Sequence, residues 1–391
     1  MGQFSMEISR AAGSVLNGNQ QKKLLLALTV GAGIAATAAA ADPKKIVYAS
    51  YLSPQHITNP VMQEFFAAVT KQTGGSVTFE SHVGGSLLSG RDIPGGVRDG
   101  LADAGYFVGS YIPSEMPVDN FIAEFSLWND EPLVMTAVLN ELELFDCKEC
   151  GEEYAKFNTQ FLATYALTPY VYHCRTEMKT LADFSGKRVR GLAAYADLAR
   201  ALNAAPVNVS PDEAYEALDR GVIDCALHSI AAQKARSYGE AAKFVILDPL
   251  GGFLGASTFN LRFDKWNELT VEERNAIRDN LAAMVTGAIF NYIQEDKDVI
   301  EAYTKTGTKF YNAEPEFAAK IEDFKSTYLP TVLEKGKKLG VKDPEAIANA
   351  ITRLTEKWRK LLKENGSDRE TFQRLLHQEI FSKIDTSTGR G

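Results

Sequence analysis

Residues 180–229 read TLADFSGKRVRGLAAYADLARALNAAPVNVSPDEAYEALDRGVIDCALHS, and their alternation decides the fold class. Gly186 ends a short polar turn. Lys187, Arg188 and Arg190 follow, with Val189 the only apolar residue among them. Leu192, Tyr195, Leu198, Ala199 and Leu202 then recur at helical spacing. An extended piece is expected at 206–209. Pro211-Asp212-Glu213 is expected to open a second helix, with acid in its first turn as the helix dipole prefers. That helix stops before Gly221, and a strand is expected to start at 222–224. Strand, helix, strand, helix, strand is the pattern of an open α/β sheet.

The stretch resembles the periplasmic solute-binding proteins of TRAP transporters, the DctP-type family. Members carry D-x-x-G-x-K-x-R and, some twenty-five residues on, E-x-Y-x-A-L-x-x-G-x-x-D. Here the first set is Asp183, Gly186, Arg188 and Arg190. The second is Glu213, Tyr215, Ala217, Leu218, Gly221 and Asp224. Arg188 stands where Lys is usual, and Cys225 where Gly commonly follows the Asp. The resemblance implies that Arg190 forms a salt bridge to a carboxylate of a bound solute. It implies an α/β, two-domain periplasmic-binding fold with hinge strands and a long helix spanning both domains.

Length and composition agree with two domains. A chain of 391 residues can bury two cores. Its 45% hydrophobic and 24% charged residues are those of a globular protein. A net charge of −8 argues against a nucleic-acid partner, because nothing basic is large enough to follow phosphates. An anionic ligand therefore needs local positive charge.

Residues 1–41 read as a secretory signal peptide. Lys22 and Lys23 form a basic flank, 24–34 an apolar run, and 35–41 are nearly all alanine. The run is too short for a stable membrane span. Cleavage is expected before Asp42, giving a periplasmic protein. It removes Arg10, Lys22 and Lys23 against Glu7, taking the net charge from −8 to −10.

Further along, a first strand is expected at 45–50, then a loop through Pro54-Gln55-His56, a helix at 60–69 and a strand at 77–80. Phe66, Ala67, Val69, Thr73 and Gly74 resemble the family's F-A-x-x-V-x-x-x-T-G with one residue fewer before Val69, and its preceding loop places His56 among the candidate solute contacts. The glycines of 84–100 lack a P-loop's Gly-Lys-Ser/Thr ending and a dinucleotide fingerprint's spacing. They read as turn residues. Residues 117–130 resemble the family's aromatic hinge loop. Trp128 either stacks on the solute or is a partly buried core aromatic. Residues 132–161 read as helical.

Cys147-Lys148-Glu149-Cys150 lacks a thioredoxin-like strand before it and any nearby His pair for zinc. A structural disulfide suits an exported protein; free thiols, redox chemistry or a metal remain alternatives. Arg175, on the strand before the D-x-x-G segment, is a second ligand candidate by the resemblance or else a surface arginine. His228, four residues after Asp224, falls where the family has a polar ligand contact, whereas a lone histidine is more often structural.

Phe253 to Phe263 is expected to be a strand that crosses between domains. Thr270 and Glu273 form a capping box for a long helix with Ile277, Leu281, Met284, Val285, Ala288, Ile289, Tyr292 and Ile293 on one face. Residues 316–384 read as helical. The expected division is 42–168 with 254–296 as domain I and 169–253 with 297–391 as domain II.

The implied function is capture of a small organic-acid solute by a monomer that delivers it to TRAP membrane subunits, with no cofactor or metal. A sensory protein of the same fold is the alternative. No nucleophile elbow, paired Ser/His/Asp set or metal cluster favours an enzyme.

Overall fold

The computed structural model describes residues 42–210 and 213–388. The expected signal peptide lies outside the described residues, as do Pro211 and Asp212 at the expected start of the second helix.

Two sheets carry the fold. The first contains β1 (Lys44–Ala49), β2 (Val77–His82), β3 (Ala104–Phe107), β4 (Thr159–Ala163) and β10 (Ser257–Arg262). Their order is β2-β1-β3-β10-β4, with β1 parallel to β2 and β3 and with β10 antiparallel to β3 and β4. The second contains β5 (Val171–Cys174), β6 (Arg188–Arg190), β7 (Ala205–Val207), β8 (Cys225–His228), β9 (Phe244–Ile246) and β11 (Lys309–Tyr311). Its order is β11-β9-β5-β8-β6-β7. The 180–229 stretch supplies β6, β7 and β8 in parallel array, as its alternation predicts.

The helix after β6 is Ala194–Ala201, and its expected inward residues Tyr195, Leu198 and Ala199 are buried. The next is Ala214–Asp219, ending before Gly221 at φ +67. Residues 222–224 precede β8 rather than belong to it, because Asp224 turns its carboxylate back to the Arg188 backbone N–H at 2.8 Å and guanidinium at 2.9 Å. Residues 132–161 are not helical throughout. The helix Pro132–Glu141 passes through a π-turn at Leu142–Asp146 into Lys148–Ala155, and Thr159 already starts β4. Asn158 at φ +55 makes that exit.

Two extended passages join the sheets, one before β5 and one before β10. They run side by side: Leu167 N–H donates to the Phe253 carbonyl (3.3 Å), Tyr170 N–H to Gly251 (3.0 Å) and Leu250 N–H to Tyr170 (3.0 Å). Asn129, buried, ties them: its Nδ2 donates to the Leu167 (3.1 Å) and Gly252 (3.0 Å) carbonyls. The expected crossing strand at 253–263 is regular only from Ser257, because before it the Gly251 and Phe253 carbonyls accept from the other passage and the Gly252 and Leu254 N–H groups donate to Asn129 and Ser126 rather than to a sheet.

Val271–Lys305 is the long helix, capped by Thr270 and Glu273 as the sequence predicts. It packs on the helix Asn59–Gln72, on β4, on the short helix Ala232–Ala235 and on β11, and so touches elements of both sheets. The chain ends in helices Pro315–Leu339, Pro344–Asn365 and Arg369–Glu379. Pro344–Asn365 lies on Pro132–Glu141, with Trp358 buried and its indole N–H donating to Glu141 (2.7 Å).

Cys147 is bonded to Cys150 at the start of Lys148–Ala155. Cys174 of β5 is bonded to Cys225 of β8, its partner in register.

Behind the first sheet, Asp119, Glu143 and Glu153 are buried around Tyr154. Asp119 accepts the Gly109 N–H (2.9 Å), and Glu153 accepts the Val118 and Asp119 N–H groups (2.8 Å each). Glu143 Oε2 has no hydrogen-bond partner among the described residues. Burial pushes Asp119 up to about 7 and Glu153 up to about 8; burial and then Asp119 raise Glu143 well above the carboxylate range. Between about pH 4 and these values the native state holds protons that the unfolded chain has released, so this cluster lowers stability as pH rises through that window. Glu143→Gln keeps the shape and removes the acid. Its melting temperature should exceed wild type by a few degrees at pH 8, with the gap closing by pH 5. Scanning calorimetry at both pH values checks this, and a variant no more stable at pH 8 contradicts it.

Candidate functional site

One cavity gathers side chains from both sheets and the passages between them. Tyr51 and Leu52 follow β1, and His56 lies in the turn before Asn59–Gln72. Tyr106 is on β3, with Val108 and Tyr111 just beyond it. Arg190 ends β6, and His228 ends β8. Leu167, Tyr170, Phe253 and Ala256 come from the two passages, and Tyr292 from the long helix. Residues at the carboxyl ends of β1, β3, β6 and β8 thus converge, the position that open α/β sheets reserve for ligands. The cavity has about 490 Å³ of empty space, its mouth included. Tyr51 and Tyr111 also border a wider outer space, floored by Gly84, Gly85 and Gly90 and flanked by Arg91 and Glu213.

Arg190 is 3% exposed. Its Nε donates to the Val209 carbonyl (3.1 Å) and Nη1 to the Leu227 carbonyl (2.9 Å). Those bonds fix the guanidinium plane. Among the described residues two of its five N–H groups are used, which leaves three. Its partners among the described residues are carbonyls, not carboxylates. A cation out of water without a counter-ion is costly, so the site is built for an anion.

Arg236 apart, the other polar groups of the wall are neutral. Burial, then the Arg236 and Arg190 guanidiniums, push His228 well below the imidazole range. Its Nε2 accepts Arg236 Nε–H (3.1 Å), its Nδ1 faces Ser229, and its ring stacks on Tyr170 at 4.9 Å. Burial, then Arg236, push His56 down to about 3. Its nitrogens face Thr58 Oγ1 (2.8 Å) and Tyr292 Oη (3.0 Å). Burial raises the phenols of Tyr51, Tyr106, Tyr170, Tyr195 and Tyr292. No Asp or Glu is among the described residues that line the cavity. Among the described residues the wall carries positive charge and no negative charge near neutral pH.

Arg190, His228 and His56 are brought together; Arg175 and Trp128 are not. Arg175 is exposed beyond β5, where its guanidinium covers Gly221. The turn after β5 carries it away from the cavity. Trp128 is half-buried under Pro315–Leu339, stacked on Tyr328 at 6.2 Å. Its neighbour Asn129 is the residue that serves the hinge. Sequence reasoning missed Arg236, Tyr170 and the tyrosines of the first sheet. Tyr195 and Tyr292 were visible only as apolar helix positions.

Comparison with known proteins adds the decisive observation. Residues 48–335 match the family described as bacterial extracellular solute-binding protein, family 7, of the DctP type. The chain belongs to that family. Solved structures of TRAP periplasmic solute-binding proteins share the fold of this family 7 member. One from Desulfovibrio salexigens is 19% identical with a TM-score of 0.69, covering 84% of this chain and 98% of its own. One from Rhodoferax ferrireducens, in complex with copurified benzoate, is 20% identical at 0.70, covering 81% and 99%. One from Bordetella bronchiseptica, with bound mandelate, is 18% identical at 0.68, covering 80% and 99%. The family match ends at Glu334-Lys335, so the helices from Pro344 onward lie beyond it. No helix among the described residues is long and apolar enough to cross a membrane.

Proposed function

We propose that this family 7 protein is a periplasmic receptor that captures a small organic carboxylate between two lobes and delivers it, as a monomer, to the membrane subunits of a TRAP transporter. The carrying observation is Arg190, a buried, rigidly held guanidinium without a carboxylate partner among the described residues. Its planar fork matches a carboxylate in two parallel hydrogen bonds. The benzoate and mandelate of the solved relatives are carboxylates. That correspondence supports the reading.

The proposed lobes are 42–168 with 254–296 and 169–253 with 297–391. Each holds one sheet's strands, and the paired passages form the hinge. The helices after Pro344 pack with the first lobe's Pro132–Glu141 and the long helix, which draws the chain's end toward that lobe. Closure over a solute buries it beside Arg190, and the closed shape is what a membrane partner reads.

A thermal-shift screen of the chain from Asp42 against organic acids tests this. A cognate acid at a hundred times its Kd stabilises by about 2.7 kcal/mol, a shift of several degrees. Stabilisation by uncharged or cationic solutes alone would refute it. Removal of 1–41 on export belongs to the same reading, and N-terminal sequencing of the periplasmic form should begin at Asp42.

A further inference from the structure

Resting on that carboxylate-receptor reading, we infer that the solute is a small ring compound with one acid group, its carboxylate held jointly by Arg190 and the Tyr170 hydroxyl. Rings dominate the wall. Tyr51 meets Tyr106 and Tyr111 edge-on at 5.8 and 5.7 Å, and Phe253 lies nearly parallel to Tyr170 at 6.4 Å. These surfaces favour a flat apolar body.

The supply of hydrogen bonds is what narrows the class. Tyrosine hydroxyls crowd the site, yet most are engaged with the protein. Tyr195 Oη donates to the Gly251 carbonyl (2.7 Å), Tyr292 Oη meets His56, Tyr106 Oη meets Tyr165, and Tyr111 Oη donates to Tyr51. Both nitrogens of His56 and of His228 are occupied as well. A sugar acid would bring several hydroxyls into a cavity with few partners for them. Each hydroxyl buried without a partner weakens binding by about tenfold or more.

A second carboxylate would need a second desolvated cation. Arg236 differs from Arg190 in this respect. It is part-exposed and has Nε on His228, so water already meets much of its charge. Tyr170 is the exception among the hydroxyls. The residue is 4% exposed and lines the cavity, and its Oη makes no hydrogen bond among the described residues. Its ring stacks on His228 at 4.9 Å, and the neighbouring Leu227 carbonyl accepts Arg190 Nη1–H at 2.9 Å, so the two groups lie on the same part of the wall.

Calorimetric titration of the mature chain tests this with benzoate and phenylacetate, succinate, glucuronate, and uncharged benzamide. A ring monocarboxylate should bind at least about 100-fold more tightly than succinate or glucuronate. Tighter binding of either of those two overturns the ring inference and leaves the receptor reading standing. Benzamide binding as well as benzoate overturns the receptor reading itself. Binding by none of the ring acids overturns the ring inference. Tyr170→Phe should weaken the ring acid by about tenfold, a hydroxyl-to-carboxylate bond, without lowering the melting temperature of the empty protein. Unchanged affinity removes Tyr170 from the carboxylate site.

Discussion

Arg190→Met should abolish carboxylate binding while the empty protein stays folded. Methionine keeps an apolar stem of similar length and removes the charge. Two effects then oppose each other in the empty state. The Val209 and Leu227 carbonyls lose their donors, which costs about 1–3 kcal/mol each if they stay dry. Removing a buried cation that has no carboxylate partner among the described residues returns several kcal/mol. The two nearly cancel, so the melting temperature should move by only a few degrees. Binding has no such compensation, because the guanidinium that remains in the wall, Arg236, is part-exposed and has its Nε engaged by His228. The expected loss is on the order of 3–5 kcal/mol, about a hundredfold to several thousandfold in Kd. Arg190→Lys keeps the charge but cannot hold both carbonyls and grip a carboxylate with a fork, and should fall between the two. Titration of the three proteins with a ligand from the screen measures it. Near-wild-type affinity in Arg190→Met would remove Arg190 as the anchor.

Gly252→Ala should be the most damaging small substitution in the hinge. A Cβ at this position would sit 1.9 Å from the Leu167 carbonyl oxygen and 2.6 Å from Asn129 Nδ2. The nearest obstacle is backbone of the partner passage, which cannot rotate aside as a side chain would. The passages must separate, and Asn129 must release one of the carbonyls it holds. We expect a cost of about 3 kcal/mol or more and a melting temperature lower by roughly 5 °C or more. Asn129→Ala removes the clamp without a collision and should cost less, about 1–3 kcal/mol. Thermal melts of the two variants separate crowding from lost hydrogen bonding. A Gly252→Ala protein that melts with wild type would show that the passages can part freely.

The α/β alternation of 180–229 was legible because its periods are local. Apolar residues at 192, 195, 198 and 199 needed nothing distant to mark a helix, and Gly221 at positive φ marked its end. Arg190 was legible because its chemistry and its motif agree. Arg175 and Trp128 misled for one shared reason: position along the chain does not say which way a turn sends a side chain. Asp224 folds back onto Arg188, and the turn at 124–128 is drawn under a helix that begins almost two hundred residues later. The cavity's tyrosines run from Tyr51 to Tyr292, and only tertiary packing makes them one wall. Arg236 had no motif or periodicity to announce it. Asn129, beside Trp128, was hidden because its two partners are carbonyls thirty-eight and one hundred and twenty-three positions away.

The bond between Cys174 and Cys225 has a topological consequence. It closes the intervening chain into a covalent ring that contains Arg190 and both helices of the α/β stretch. Bridging residues 51 apart removes about 4 kcal/mol of chain entropy from the unfolded state by the loop-closure account. The strands that bear the bridge flank the anchor, since Val189 pairs with Cys225 and Arg190 with Ala226. A peptide bond cut anywhere inside the ring leaves one connected molecule rather than two pieces. The segment that holds the anion-binding guanidinium is thus fastened to its sheet at both ends, even when the backbone between them is broken.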